Sequence, residues 1–103
     1  ADVTGLTPVL ENMPEEFSVA YNDHLKAYLV LYQEAESGAV LLRTAQYPWG
    51  PWSEPKTALS CKKEEYCFGA KEQAAFSSEG GKKIFFTVEK KNMPYLYELV
   101  FKP

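Results

Sequence analysis

Apolar side chains in this chain recur mostly with a period of two, and the pattern runs twice in the same order. Period-two alternation places successive side chains on opposite faces of an extended segment, so the chain is expected to form sheet rather than helix. In the first round, Phe17, Val19 and Tyr21 alternate with Ser18 and Ala20, and Asn22-Asp23-His24 supplies turn chemistry. Asn and Asp suit a turn because their side chains bond the local backbone. Residues 27–32 (Ala-Tyr-Leu-Val-Leu-Tyr) are continuously apolar, as a strand covered on both faces would be. Glu36-Ser37-Gly38 turns the chain, residues 39–44 run back, and residues 56–60 form a fourth extended piece. The second round has a candidate first strand at residues 70–76 and a hairpin loop at residues 77–81. An apolar strand at residues 83–88, a turn over residues 90–94 and a third strand at residues 95–101 complete it.

Two units of about 40–50 residues in this order have the length of propeller blades. The expected class is therefore all-β, with antiparallel four-stranded sheets forming about two blades of a partial β-propeller. A chain of 103 residues supports a single unit. Within it, residues 1–14 form an N-terminal segment and candidate outer strand, and residues 15–60 the first blade. Residues 61–69 form a loop closed by cysteines, and residues 70–103 a second, three-stranded blade. The fourth strand of that second blade must come from elsewhere, and Pro8-Val9-Leu10 is the nearest candidate.

Cys61 and Cys67 are the only cysteines. A metal site would need more ligands, and His24 is the only histidine. A redox pair would normally be closer, as C-x-x-C. A disulfide closing a polar surface loop is the third reading, and it implies an oxidising compartment, hence secretion. The chain starts Ala1-Asp2-Val3 with no signal peptide, which suggests a processed or cut N-terminus. The net charge is −3 and the lysine pairs sit beside acids, so nucleic acid is not an expected partner. No apolar run approaches the roughly 20 residues that span a bilayer, so no membrane partner is expected either.

The segment Gly50-Pro51-Trp52-Ser53-x-Pro55, preceded by Arg43-Thr44-Ala45, resembles five-bladed propeller proteins of the glycosidase type. That group includes arabinanases, β-xylosidases and secreted propellers known as a domain of unknown function. Phe17-Ser-Val-Ala-Tyr-Asn22, residues 28–32, Phe68-Gly69-Ala70, residues 84–87 and residues 95–97 extend the resemblance over residues 17–101, the length of two blades. It implies a carbohydrate ligand, with catalytic acids drawn from several blades around a central cavity. Where family members often carry His-Pro, this chain has Gln73-Ala74.

A glycosidase needs two carboxyl groups flanking the scissile bond, one of them held protonated. Glu16, Asp23 and Glu72 are the candidates near inner strand ends. Two have a plain reading, Glu16 solvating or capping a strand entrance and Asp23 making a turn; Glu72 sits in a candidate inner strand, where the polar stretch Lys71-Glu72-Gln73 is unusual. Trp49, Trp52 and Arg43 are ligand-binding candidates. Architecture is the competing role for the tryptophans, and an ion pair with Glu16 or Glu54 for Arg43. No cofactor and no metal are expected. Three functions follow: a carbohydrate-related propeller fragment without a complete active site, a glycoside hydrolase completed by a partner chain, or a protein-interaction module. An uncovered Trp49 or Trp52 would favour the last. Blades pack against neighbours on both faces, so the expected partner is the remainder of a processed precursor or a homo-oligomer.

Overall fold

The computed structural model describes residues 17–103. The chain is all-β: two antiparallel sheets stand face to face as about two blades of a propeller. The first sheet is a meander of β1 (Phe17–Asn22), β2 (Ala27–Gln33), β3 (Val40–Ala45) and β4 (Lys56–Leu59). The second contains β5 (Cys67–Glu72), β6 (Lys83–Lys90) and β7 (Met93–Val100). Single 3-10 turns occupy Lys63–Glu65, Ala74–Phe76 and Glu79–Gly81. No helix among the described residues is long and apolar enough to cross a membrane.

Register decides which side chains meet. Paired residues of antiparallel strands share a face, so Ser18, Ala20 and Asn22 lie with Leu29, Leu31 and Leu42 on the side toward the second sheet. There they meet Ala70, Ile84, Phe86 and Val88, and these residues form the main core. Phe86 stacks on Tyr97 with ring centroids 5.4 Å apart. Val30, Tyr32 and Leu41 form a second buried cluster on the opposite side of the first sheet, with Trp52 and Ala39 packed on it. The apolar run of β2 thus feeds both clusters, as its unbroken hydrophobicity requires: Leu29, Val30 and Leu31 are 1%, 0% and 0% exposed.

The second unit differs from expectation at its start. Residues 70–76 do not form one strand: β5 begins at Cys67, inside the expected loop of residues 61–69, and ends at Glu72. Cys67 and Phe68 pair with Lys90 and Glu89, then the register slips before Lys71 pairs with Thr87. Gly69, at φ +71°, sits in that bulge. After Glu72 the Gln73 N–H still reaches the Phe85 carbonyl at 2.8 Å. The Ala74-Ala75-Phe76 run lacks alternation and coils into a turn, which the Ser77 hydroxyl closes on the Ala74 carbonyl at 2.9 Å. Pro8-Val9-Leu10, Glu16 and the 1–14 segment lie outside the described residues.

Candidate functional site

The two sheets meet along β5, which packs against β2 and β1. The Glu72 N–H donates to the Ser18 hydroxyl at 2.9 Å, which ties the edge strand of one sheet to that of the other. One turn further, Asn22 clamps the junction: its amide nitrogen donates to the Gly81 carbonyl at 2.9 Å. Its amide oxygen accepts the Leu25 N–H at 3.0 Å, which also shapes the β1–β2 turn. Gly81 has φ +95°, and a Cβ there would stand 2.6 Å from the Asn22 amide oxygen. Only glycine fits both demands. His24 Nε2 lies 2.8 Å from the Lys102 carbonyl. A carbonyl only accepts, so Nε2 carries the proton.

Between these ties opens a cleft of about 200 Å³, lined by Asn22, Asp23, Glu72, Ser77 and Gly81 among others. Two of the three carboxylates expected from the sequence therefore share one recess. Glu72 pairs across with Phe86 and so faces the first sheet, where it is 8% exposed. Its Oε1 is buried, with no hydrogen-bond partner among the described residues. Burial pushes its carboxyl above the usual range, because a charge removed from water without a compensating partner is disfavoured. Asp23 is exposed on the turn beside it. The neighbours of Glu72 point elsewhere: Lys71 is exposed, and Gln73 donates to the Thr87 hydroxyl at 3.2 Å. The cleft thus combines a carboxyl biased toward its neutral, proton-donating form with a second acidic group and a hydroxyl.

The tryptophan segment divides by role. Gly50 N–H bonds the Tyr47 carbonyl at 2.9 Å, closing a turn with Pro48 at its second position. Trp52 packs on the Val30–Tyr32–Leu41 cluster. Gly50, at φ +99°, leaves room for its indole, since a Cβ there would come within 3.0 Å of Trp52 Cδ1. Trp49 is 63% exposed and stacks on Tyr47, centroids 5.2 Å apart and planes 2° from parallel. Tyr47 was not among the sequence candidates; an aromatic residue immediately before Pro-Trp is the only signal that could have marked it. Arg43 pairs with Val30 and is half-buried, its Nε without a partner among the described residues. The expected ion pair with Glu54 does not form: the ion pairs among the described residues are Lys83–Glu79 and Lys90–Glu65. Ser53 is instead tied to Thr44 by two hydrogen bonds of 2.8 and 2.9 Å, and Glu54 beyond it stays exposed.

Cys61 and Cys67 form a disulfide. Glu65 lies close to both sulfurs, but sulfurs bonded to each other offer no thiolate to a metal. Glu65 accepts from the Lys62 N–H at 2.8 Å and from Lys90 Nζ at 3.2 Å. Those two contacts hold its carboxyl below the usual range, the Lys62 bond foremost. The Lys91 N–H also bonds the Glu65 carbonyl at 3.0 Å, so the closed loop is pinned to the β6–β7 hairpin.

The family described as Domain of unknown function (DUF4185) matches residues 2–103, and the chain belongs to that family. No curated protein matches it.

Proposed function

We propose that this DUF4185 chain is an extracytoplasmic, carbohydrate-binding propeller module whose ligand lies in the β1–β5 cleft. The observation that carries this reading is the placement of Glu72 and Asp23 in one recess, with the Glu72 carboxyl biased toward neutrality. Sugar hydroxyls both donate and accept hydrogen bonds. Burial favours the protonated form of Glu72, which would present an O–H, and the Asp23 carboxyl adds acceptor oxygens, so the pair suits a polyhydroxylated ligand. The resemblance to arabinanases and β-xylosidases makes a pentose polymer the ligand class to test first. The disulfide supports an oxidising compartment.

The same arrangement leaves hydrolysis open to test. A neutral carboxyl is what a general acid requires, and a second carboxyl group across the scissile bond completes the chemistry. In a glycoside hydrolase completed by a partner chain, Glu72 is the acid and the partner supplies the rest. Calorimetric titration with arabino- and xylo-oligosaccharides, beside a turnover assay on aryl pentosides, separates the outcomes. Binding lost in Asp23→Ala and kept in Glu72→Gln supports the cleft. Turnover that falls about 10²–10⁴-fold in Glu72→Gln assigns it the acid role. Binding unaffected by either substitution refutes the site.

A second reading has its own observation. Trp49 is uncovered and stacked on Tyr47, and large exposed aromatic surface marks protein-interaction sites. In that reading Tyr47 and Trp49 anchor a protein partner, and the module recruits rather than hydrolyses. Capture of a binding protein by the wild type but not by Trp49→Ala would favour it.

A further inference from the structure

The loop between β5 and β6 gives Ala74, Ser77, Gly80 and Gly81 to the wall of the cleft. Within it Ala74, Ala75 and Phe76 form an unbroken apolar run, and all three are exposed, Phe76 by 58%. An exposed apolar run is a fault in a sequence unless it serves a function. Two anchors hold the loop on β6. The Gln73 N–H bonds the Phe85 carbonyl at 2.8 Å, and its side-chain amide the Thr87 hydroxyl at 3.2 Å. Ser78 exchanges two backbone bonds with Lys83, of 3.0 and 3.2 Å. Between the anchors, the hydrogen bonds among the described residues are local to the turn. The Phe76 N–H reaches the Gln73 carbonyl at 3.0 Å, and the Ser77 N–H and hydroxyl reach the Ala74 carbonyl at 3.1 and 2.9 Å. No residue from Ala74 to Gly80 is buried. Beyond the second anchor, Glu79, Gly80 and Gly81 all have positive φ, 54°, 66° and 95°. Such a backbone is strained for the glutamate, and strain of this kind collects at ligand clamps and switch segments.

We propose that residues 74–77 form a flap that swings on Gln73 and Ser78 and closes Phe76 over a ligand in the β1–β5 cleft. The proposal rests on that cleft as the ligand site and names the residue that selects what enters it. A segment with exposed backbone, no buried side chain and only local bonds moves at low free-energy cost. The turn keeps its own bonds as it swings, and both anchors stay paired with β6. The recess needs such a cover. Tyr21 is the one aromatic residue lining it, and that ring rests on Tyr28 at 5.1 Å, on the outer face of the first sheet. An aromatic surface for the ligand therefore comes from the flap. A sugar ring carries hydroxyls at its edge and C–H groups on its faces. With its hydroxyls on Glu72 and Asp23, one C–H face is left toward the opening, and Phe76 covers it while losing its own contact with water. The flap thus favours a cyclic sugar over an open-chain polyol with as many hydroxyls.

Calorimetric titration of the wild type, Phe76→Ala and Phe76→Tyr with arabino- and xylo-oligosaccharides tests this, with xylitol as the open-chain comparison. Phe76→Ala is expected to weaken oligosaccharide binding about 3–10-fold and to leave xylitol binding unchanged, whereas Phe76→Tyr keeps the ring and stays within about twofold of the wild type. Chymotryptic cleavage after Phe76 is expected to slow at saturating oligosaccharide, while cleavage after Tyr66, which is exposed and outside the cleft, does not. The position is exposed, so all three proteins should share one Tm. Binding that depends on Asp23 but not on Phe76 overturns the flap and leaves the cleft standing. So does cleavage after Phe76 that ignores saturating oligosaccharide, or weakened binding accompanied by a lowered Tm, which makes Phe76 a structural residue. A wild type that binds none of these oligosaccharides overturns both.

Discussion

At the scale of single residues, the Asn22–Gly81 contact ties the end of β1 to the turn that leads into β6. Both atoms of the Asn22 amide are used, one across the junction and one in the local turn. Replacing Gly81 by Ala forces a Cβ against the Asn22 amide at a backbone angle that L-residues rarely adopt. The expected cost is about 1–3 kcal/mol, readable from urea unfolding. Asn22→Ala leaves the Gly81 carbonyl without its buried donor and should cost a similar amount, about 1–3 kcal/mol. The double variant should cost less than the sum, because the clash and the bond share one partner. Glu72 gives a different signature. Its folded-state carboxyl titrates above its unfolded one, so the native state binds the proton more tightly and loses stability as pH rises through that interval. Glu72→Gln should therefore match the wild type in acid and exceed it in stability at neutral pH. Unfolding measured across pH checks this, and a difference independent of pH would contradict it. Neither Asn22 as a clamp nor the upward shift of the Glu72 carboxyl was legible beforehand. Asn22-Asp23 reads as turn chemistry from its neighbours alone. The 59-residue separation to Gly81 leaves no local mark.

At the scale of elements, hydrophobic periodicity located nearly every strand, because each had one face or two to bury. The alternation of residues 17–21 and the unbroken run of residues 27–32 became β1 and β2 with little change. The start of the second unit was displaced because its pairing is decided by partners on β6. A bulge at Gly69 resets the alternation that a sequence reading counts on. For the tryptophans ligand binding and architecture compete in the sequence; Trp52 takes the architectural place, packed on the Val30–Tyr32–Leu41 cluster, while Trp49 is exposed. One proline turn sends the two indoles to opposite fates. Two expectations belong here. Phe86→Ala empties the centre of the inter-sheet core and should cost about 3–5 kcal/mol. Replacing Cys61 and Cys67 together by Ser frees a short loop and should cost about 2–3 kcal/mol by the chain-entropy argument. Thermal unfolding under non-reducing conditions measures both. The cysteine change should leave the core fluorescence of the folded state unaltered, whereas Phe86→Ala should not.

At the scale of the whole molecule, two blades share one dry interior and turn two dissimilar faces outward. The interior is closed by Leu29, Leu31, Ile84 and Phe86, all but sealed from water. The outer faces keep Phe17, Tyr21, Phe68 and Leu96 half in solvent. That contrast arises from pairing register, since neighbouring residues on one strand go to opposite fates. The cleft sits at the rim of the interior, where β1 and β5 end and their turns approach. Asn22 and Gly81, which are hydrogen-bonded across the junction, both line it. Fold and candidate site are therefore one construction, and ligand binding should depend on residues that also set the angle between the sheets. Amide chemical-shift mapping of the folded chain during titration with a pentose oligosaccharide tests this most directly. The account predicts shifts clustered at Asn22, Asp23, Glu72, Ser77 and Gly81, with Tyr47 and Trp49 unmoved. Shifts confined to Tyr47 and Trp49, or none at all at saturating sugar, would contradict it.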